Sequence, residues 1–549
     1  MGRLAALVLA TIGIGMGWAV AAEPAGSEPA SAGLSLWVET PGTMILADRP
    51  AGAAKEIVLA GVRNEYVSAQ LGLRSGQEAE KPFTFEWTAL AGPGGKEIPK
   101  GKVELFRAAD IVVDHGSNES KSKNALRVRP KGSFPDALVP LILADGTNVA
   151  NSIKPEKDKT IAFWVDVFIP AGTPAGQYSG GITLNGGEKP LTIPVKLKVA
   201  DAEIPAESTI PSMYNLRDWP HVRANIDNYV AVVMAHRFQP TNYHYYDMQQ
   251  DFLDHYNPNG KGYVSVLISD TAKPSEARAK QVADYLKKTE AHLKQRGLWD
   301  RTFLQLKDEP DPGELPGITE FVKQALADSP DWKGKVAETL SSKEGTELDQ
   351  YVTHHVRPLA LYDSWSWRKM DGREEWDKRR QAGQQLWFYF SNSQGTPYPT
   401  LDVNTPSVAF ESRVAAWGFW YEKAVGHLYW DLMFVPGWKL HPRFPPGDGQ
   451  LIYPGDFTME GAPAWVLVKD IKQPVVSRRL KIFRQGLQEW EMLRLAEKKV
   501  GREKVQAIVT PIYTALGNSQ KPNENTWSTD EADWDKARAA VISLLEERP

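Results

Sequence analysis

Two adjacent carboxylates, Asp308 and Glu309, stand at the end of a short apolar run, Phe303-Leu304-Gln305-Leu306, and just ahead of Pro310. Proline biases the residue before it toward extended backbone, so the pair falls where a buried strand becomes a loop. Adjacency limits what two carboxyls can do together. A retaining glycosidase with a protein nucleophile holds its carboxyls roughly 5 to 5.5 Å apart across the scissile bond, and an inverting one roughly 6.5 to 9.5 Å apart. Neighbouring residues, with Cα atoms about 3.8 Å apart, bracket a sugar ring poorly. They suit a division of labour in which one acid protonates the leaving oxygen while its neighbour orients a group of the substrate, such as a 2-acetamido group, that attacks from within. The charge on Asp308 would also help keep Glu309 protonated, because a nearby negative charge raises a carboxyl pKa. Taken alone, Asp-Glu-Pro is also an ordinary solvated turn, so the elements around it decide.

From about residue 207 onward, helical patterns alternate with short apolar runs, the arrangement of repeated βα units. Candidate strands lie at 210–214, 238–243, 263–268, 303–307, 336–340, 351–356, 386–390 and 427–430. That is the number a closed (β/α)8, TIM-like barrel needs, and the short first, second and fifth runs point to a distorted one. Between Ser275 and Gly297, Val282, Tyr285, Leu286 and Leu293 fall near one helical face, and Gly297 supplies the C-terminal stop. Further helices are expected at 374–381, 407–424, 477–499, 504–516 and 532–547, the last two forming a helical C-terminal tail over 501–549.

Barrel enzymes build their sites at the C-terminal ends of the strands. Those ends would bring together Tyr214 and Asn215, Tyr243 and His244, Asp308 and Glu309, His355, Tyr389 and Asn392, and Trp430 and Asp431. Asp448 and Tyr453 stand in the Gly-rich stretch 447–455, read either as a loop over that pocket or as a tight structural turn. A pocket of Tyr, Trp, His, Asn and carboxylates suits a sugar. No phosphate-cradling Gly loop or serine nucleophile elbow competes with it. The 10 His residues are scattered, no His-Glu-x-x-His occurs, and His354 and His355 would point to opposite sides of a strand, so neither a metal nor another cofactor is expected.

Upstream, residues 34–200 carry short alternating strands separated by turn residues, clearest at Val195-Lys196-Leu197-Lys198-Val199, and predict an N-terminal antiparallel β-sandwich. The chain is thus expected to be multidomain, an all-β domain followed by an α/β catalytic domain at 207–500. Residues 23–33, rich in Ala, Ser, Pro and Gly, read as a flexible linker, and residues 1–22, with Arg3 ahead of an apolar run ending in Ala19-Val20-Ala21, read as a cleaved signal. Export to the periplasm or beyond follows, with no stable membrane insertion after cleavage. A net charge of -4 with interspersed signs offers no footprint for nucleic acid, and the absence of cysteine excludes disulfides, thiolate metal sites and a cysteine nucleophile.

Two regions resemble glycoside hydrolase family 123, whose known members are β-N-acetylgalactosaminidases. One runs from Arg296-Gly297-Leu298-Trp299 to Asp308-Glu309-Pro310. The other runs from Gln385-Leu386-Trp387-Phe388-Tyr389 through Gly426-His427-Leu428-Tyr429-Trp430 and Gly447-Asp448-Gly449-Gln450 to the helix that starts at Ser477, and Val62-Arg63-Asn64-Glu65-Tyr66 adds to it in the sandwich. The resemblance implies substrate-assisted hydrolysis with retention of a glycan bearing a β-linked N-acetylhexosamine, most often N-acetylgalactosamine. In it, Asp308 would orient the acetamido group and Glu309 would act as acid, then base. Relatives often read Leu-Tyr-Trp-Gly-x-Asn where this chain reads Leu428-Tyr429-Trp430-Asp431-Leu432-Met433, so the sugar is less well specified than the reaction. Two other readings stay open at this level: a barrel glycosidase for a sugar without the acetamido group, with Asp363, Asp402 or Asp431 as a distant second carboxylate, and a glycan-binding protein without turnover.

Overall fold

A computed structural model of the chain describes residues 33–115, 129–241, 264–267, 276–339, 347–360, 373–392, 397–406, 409–518 and 524–547. The expected signal and linker, Tyr243, His244 and Asp363 lie outside the described residues. The fold is mixed α/β and multidomain, with a β-rich N-terminal domain.

Two sheets pack face to face in the N-terminal domain. The first runs, in spatial order, Leu34–Glu39, Glu65–Ser75, Thr160–Ile169, Val103–Val113, Gly132–Pro140, Val475–Ser477 and Ile452–Tyr453, with antiparallel pairings throughout. The second is built on Ile57–Arg63, Leu191–Glu203 and Gly176–Asn185. Alternation makes the sandwich: Ile193, Val195, Leu197 and Val199 are buried while Lys196 and Lys198 face solvent. Each such side chain contributes about 1.5–3 kcal/mol on leaving water. The expected all-antiparallel sandwich needs one correction, since Ile57–Arg63 pairs parallel with Leu191–Glu203. The chain does not fold back as a hairpin after Arg63. It turns a corner into the other sheet at Asn64, whose φ of 64° is left-handed and whose amide donates to the Ile169 carbonyl at 2.7 Å.

Gly132–Pro140 is a strand that its composition conceals. Its two prolines argue against a strand with neighbours on both sides. They are tolerated because Pro135 sits opposite Asp110 at a register shift, and because the pairing to Val475–Ser477 uses only Ala137 and Leu138.

The third sheet holds eight parallel strands in the order Pro240–Thr241, Ser212–Asn215, Gly426–Tyr429, Gln385–Phe390, His354–Pro358, Val336–Thr339, Thr302–Gln305 and Val264–Leu267. Each apolar run singled out in this half of the sequence overlaps one of them. No pairing between the two end strands is present among the described residues. One face carries Met213, Phe303, Ala337, Val356, Trp387, Tyr389 and Leu428 in a small cluster. The other is covered by helices, with Tyr214, Phe388, Phe390 and Tyr429 against Val414, Phe419 and Phe483. Phe303 and Trp387 lie three places apart in the row, yet their ring centroids are 5.0 Å apart. Three inter-strand spacings in a flat sheet would exceed about 14 Å, so the sheet curls strongly toward the face without helices.

Helix Arg478–Val500 stitches the two halves together. Ser477 caps it by accepting from the Leu480 amide at 3.1 Å, directly after its own strand has joined the first sheet. From its first turns Arg479 reaches Asp136, and Lys481 and Arg484 reach Asp166, all buried. Further on, helix Arg502–Val509 is shorter than the expected 504–516, because Pro511 lacks the amide needed to continue it. Helix Glu531–Glu546 returns to the sandwich through Arg538–Glu65 at 2.5 Å and Lys198–Glu546 at 3.0 Å.

Candidate active site

Because the strands of the third sheet run parallel, all their C-terminal ends share one edge, and the acidic pair is on it. Thr302–Gln305 and Leu306 are buried, and the chain surfaces at once, leaving Asp308 and Glu309 exposed before the buried Pro310. Glu309 does not take the extended backbone that a following proline favours. Its φ is 43°, a strained left-handed value for a residue with a side chain. The turn is held by the Glu309 amide, which donates to the Thr339 carbonyl of the adjacent strand at 3.0 Å. Strain of this kind re-aims the side chain, and the Tyr389 hydroxyl donates to Glu309 Oε1 at 2.7 Å. Tyr389 comes from the face without helices, nearly buried, so the acid is gripped by a donor that the core has fixed.

Behind the pair lies Glu338, which nothing in the sequence singles out except that it is one carboxylate inside the apolar run Val336-Ala337-Glu338-Thr339. It is fully buried, and neither carboxyl oxygen has a hydrogen-bond partner among the described residues. Burial, followed by the nearby Asp308 charge, pushes its pKa well above the ordinary carboxyl value.

At the far side of the edge, Asn215 and Asp431 meet. Asp431 Oδ2 accepts from Asn215 Nδ2 at 3.1 Å and from Arg217 Nε at 2.5 Å, and Oδ1 accepts from the Met433 amide at 2.8 Å. Burial pushes this carboxyl up to about 7 against the pull of Arg217. Arg217 carries no signal in the sequence beyond its place two residues after the strand. Asp448 Oδ1 accepts from the Tyr429 hydroxyl at 3.0 Å and from the half-buried Trp430 indole at 2.9 Å. Asn392 Nδ2 donates to Asp402 Oδ1 at 2.7 Å, while Asp402 faces Arg129 Nε, also at 2.7 Å. Asp402 and Asp431 are thus both engaged by guanidinium groups.

Three expected site residues are placed elsewhere. Tyr214 is fully buried on the helix-covered face, with its hydroxyl 2.9 Å from His427 Nδ1 and its ring against Phe238. His355 is on the same face, where its Nδ1 accepts from Arg357 Nη2 at 3.0 Å and its ring abuts Trp376 at 5.5 Å. Tyr453 donates to Asp136 Oδ2 at 2.7 Å within the first sheet. A one-residue change of phase along a strand moves a side chain to the opposite face, which is why Tyr214 and His355 are misplaced by position alone. Every residue of the stretch 447–455 is buried, and Gly447 and Gly449, at φ 89° and 70°, give it the backbone of a tight turn. Among the described residues, no three His, Asp or Glu side chains converge as metal ligands.

Residues 218–496 match the glycoside hydrolase 123 catalytic domain, and residues 48–186 match the glycoside hydrolase 123 N-terminal domain. No curated protein matches the chain. Among solved structures, it is similar to a family 123 glycoside hydrolase from Clostridium perfringens, at 13% identity and a TM-score of 0.68, over 93% of this chain and 98% of that one. Similarity to a β-glucuronidase from Parabacteroides merdae, at 9% identity and a TM-score of 0.26 over 67% of this chain and 45% of that one, is too slight to carry an argument. The same holds for a termite-gut xylanase with a bacterial Ig-like domain, at 9% identity and 0.27 over 80% and 100%. With the catalytic-domain match alone taking in half of the chain and the acidic pair at the edge of the sheet it covers, the chain belongs to glycoside hydrolase family 123 and is a glycoside hydrolase.

Proposed function

We propose that the chain is an exported enzyme that releases a β-linked N-acetylhexosamine, in the first instance N-acetylgalactosamine, by substrate-assisted hydrolysis with retention. The observation that carries this reading is the Tyr389–Glu309 contact, which fixes one member of an adjacent carboxylate pair at the C-terminal edge of the parallel strands. Glu309 protonates the glycosidic oxygen as the C1–O bond breaks, and the carbonyl oxygen of the 2-acetamido group closes on C1. Asp308 accepts from the acetamido N–H and balances the positive charge of the cyclic intermediate. Glu309, now ionised, takes a proton from water as that water opens the ring at C1, and the configuration is restored after two inversions. The curl of the eight-stranded sheet supports its closure into a (β/α)8 barrel around this site.

Turnover of an aryl β-N-acetylgalactosaminide with a poor leaving group tests the reading. Glu309→Gln should lower the rate by roughly 10² to 10⁴, Asp308→Asn should impair the first step, and the first anomer seen by NMR should be β. Wild-type turnover by Glu309→Gln, or an α product, would overturn it. Equal turnover of the matching galactoside, which lacks the acetamido group, would favour the distant-carboxylate mechanism.

A further inference from the structure

Among the described residues, Glu338 is the one carboxyl with both oxygens buried and neither of them hydrogen-bonded. It stands in the strand Val336–Thr339, beside the strand that leads to the acidic pair, and is 0% exposed. The two strands keep step as far as Leu306. The amides of Leu304 and Leu306 donate to the carbonyls of Lys335 and Ala337, at 2.7 and 3.0 Å. By that alternation Asp308 would donate to Thr339, but Glu309 does so instead, at 3.0 Å. One extra residue therefore enters the chain between Leu306 and Glu309, a bulge of the kind that re-aims side chains next to active sites. The carbonyls that bracket it belong to Ala337 and Thr339, the two neighbours of Glu338, so Asp308 is set down alongside the buried carboxyl.

Charged groups face Glu338 from both sides. Asp308 and Lys307 come from the bulged segment, with Lys307 itself paired to Glu314. Arg357 comes from the strand on the other side, where His355 is the register partner of Glu338, and Arg379 stands beyond His355 on the helix Arg373–Gln381. Arg357 gives Nη2 to His355 Nδ1 at 3.0 Å and Nη1 to the Val356 carbonyl at 3.3 Å, and no hydrogen bond from it reaches Glu338. A carboxylate ionised and buried without a donor is strongly disfavoured, and burial and the Asp308 charge both push the Glu338 pKa up. As the neutral acid, Glu338 holds one O–H to donate, and the acceptor that matches it is the anion alongside, Asp308.

We propose that Glu338 is a positioning residue of the hydrolytic site, a buried carboxylic acid whose O–H holds the Asp308 carboxylate in place against the acetamido N–H of the substrate. A charge-assisted O–H···O⁻ bond is short and strong, so it fixes one oxygen of Asp308 and leaves the other for the substrate. Because the donor is neutral, Asp308 keeps the full charge that balances the cyclic intermediate. A lysine or arginine in the same place would orient Asp308 but cancel that charge. The role rests on Asp308 serving the acetamido group.

A double-mutant cycle on the full chain decides the matter, read by turnover of the poor-leaving-group aryl β-N-acetylgalactosaminide. Glu338→Met fills the space without a donor. It should lower kcat/KM roughly tenfold and leave the melting temperature no lower, because an apolar side chain replaces a buried acid without a bond in the free enzyme. Glu338→Gln keeps a neutral donor and should stay within about threefold of wild type. In a chain already carrying Asp308→Asn, Glu338→Met should cost less than about twofold more, since its effect passes through Asp308. The infrared difference spectrum between wild type and Glu338→Gln at neutral pH should contain the carbonyl band of a protonated carboxyl. Wild-type turnover by Glu338→Met, Glu338→Gln as slow as Glu338→Met, or a difference spectrum without that band would each overturn the proposal. So would a melting temperature lowered by several degrees in Glu338→Met, the mark of an ion pair with Arg357. Slow turnover by Asp308→Asn with losses that multiply in the double variant would overturn the Glu338 role alone. Wild-type turnover by Asp308→Asn would overturn the substrate-assisted reading, and the Glu338 role with it.

Discussion

The Tyr389 hydroxyl donates to Glu309 Oε1 at 2.7 Å across two intervening strands, those at His354–Pro358 and Val336–Thr339. A bond of that length between such distant places in the row exists only because the sheet is curled and because the left-handed turn at Glu309 aims the acid inward. The packed face of the sheet, seen in the contact of Phe303 with Trp387, therefore sets the position of the acid as much as the loop does.

Tyr389→Phe isolates that bond. The ring stays packed, so the melting temperature should hardly move. A hydrogen bond to a charged group contributes about 1.5–3 kcal/mol, and its loss should lower kcat/KM roughly tenfold as the carboxyl loses its fixed position. Full activity in the variant would show that the contact has no part in catalysis.

Gly449 tests the turn packed against Trp430. At φ 70° it is in the left-handed region, and a Cβ there would come within 2.5 Å of the Trp430 ring. Gly449→Ala should destabilise the protein by about 1–3 kcal/mol through overpacking alone, seen as a lower urea midpoint. Trp430 should move off Asp448 with it, and the tryptophan emission should shift.

Asp431 links the site to pH. Its folded-state pKa, about 7, stands above the ordinary 3.8 because burial disfavours the charge. Between those values the folded protein holds a proton that the unfolded chain gives up. The stabilisation is complete below the unfolded pKa and is lost as pH rises through about 7. Asp431→Asn should therefore flatten part of the fall in melting temperature as pH rises from about 4 to about 7. A wild-type slope in the variant would mean that Arg217 keeps Asp431 ionised throughout.

Much of this was legible in the residues. The eight parallel strands announce themselves as apolar runs, and Asp308-Glu309 could be picked out because a proline and a buried run frame it. What the sequence leaves out is phase and partnership. Tyr214, His355 and Asn215 all lie at or near strand ends, and only the pairing decides that Tyr214 and His355 face helices while Asn215 reaches Asp431. Glu338 looks like any strand carboxylate until burial and the approach of Asp308 are known. Gly132–Pro140 is hidden by prolines whose exemption depends on a bulge formed with a strand about 25 residues earlier.

Arg479 provides the test of how firmly the two halves are joined. Its guanidinium meets both oxygens of Asp136, at 2.9 and 2.8 Å, and also the carbonyls of Leu401 at 2.5 Å and Gly447 at 3.0 Å. One buried cation thus binds the sandwich sheet, the helix after it and the turn that holds Asp448. Asp136→Asn keeps the shape but leaves the charge uncompensated, which for buried pairs costs about 3–5 kcal/mol. Adding Arg479→Met should recover part of that loss, because the lone buried charge is then gone. Both variants should also lose activity, as Gly447 and Asp448 drift from under Trp430. A double variant as unstable as the sum of the two single substitutions would show that the pair acts only as separate packing groups, with no coupling between the domains through it.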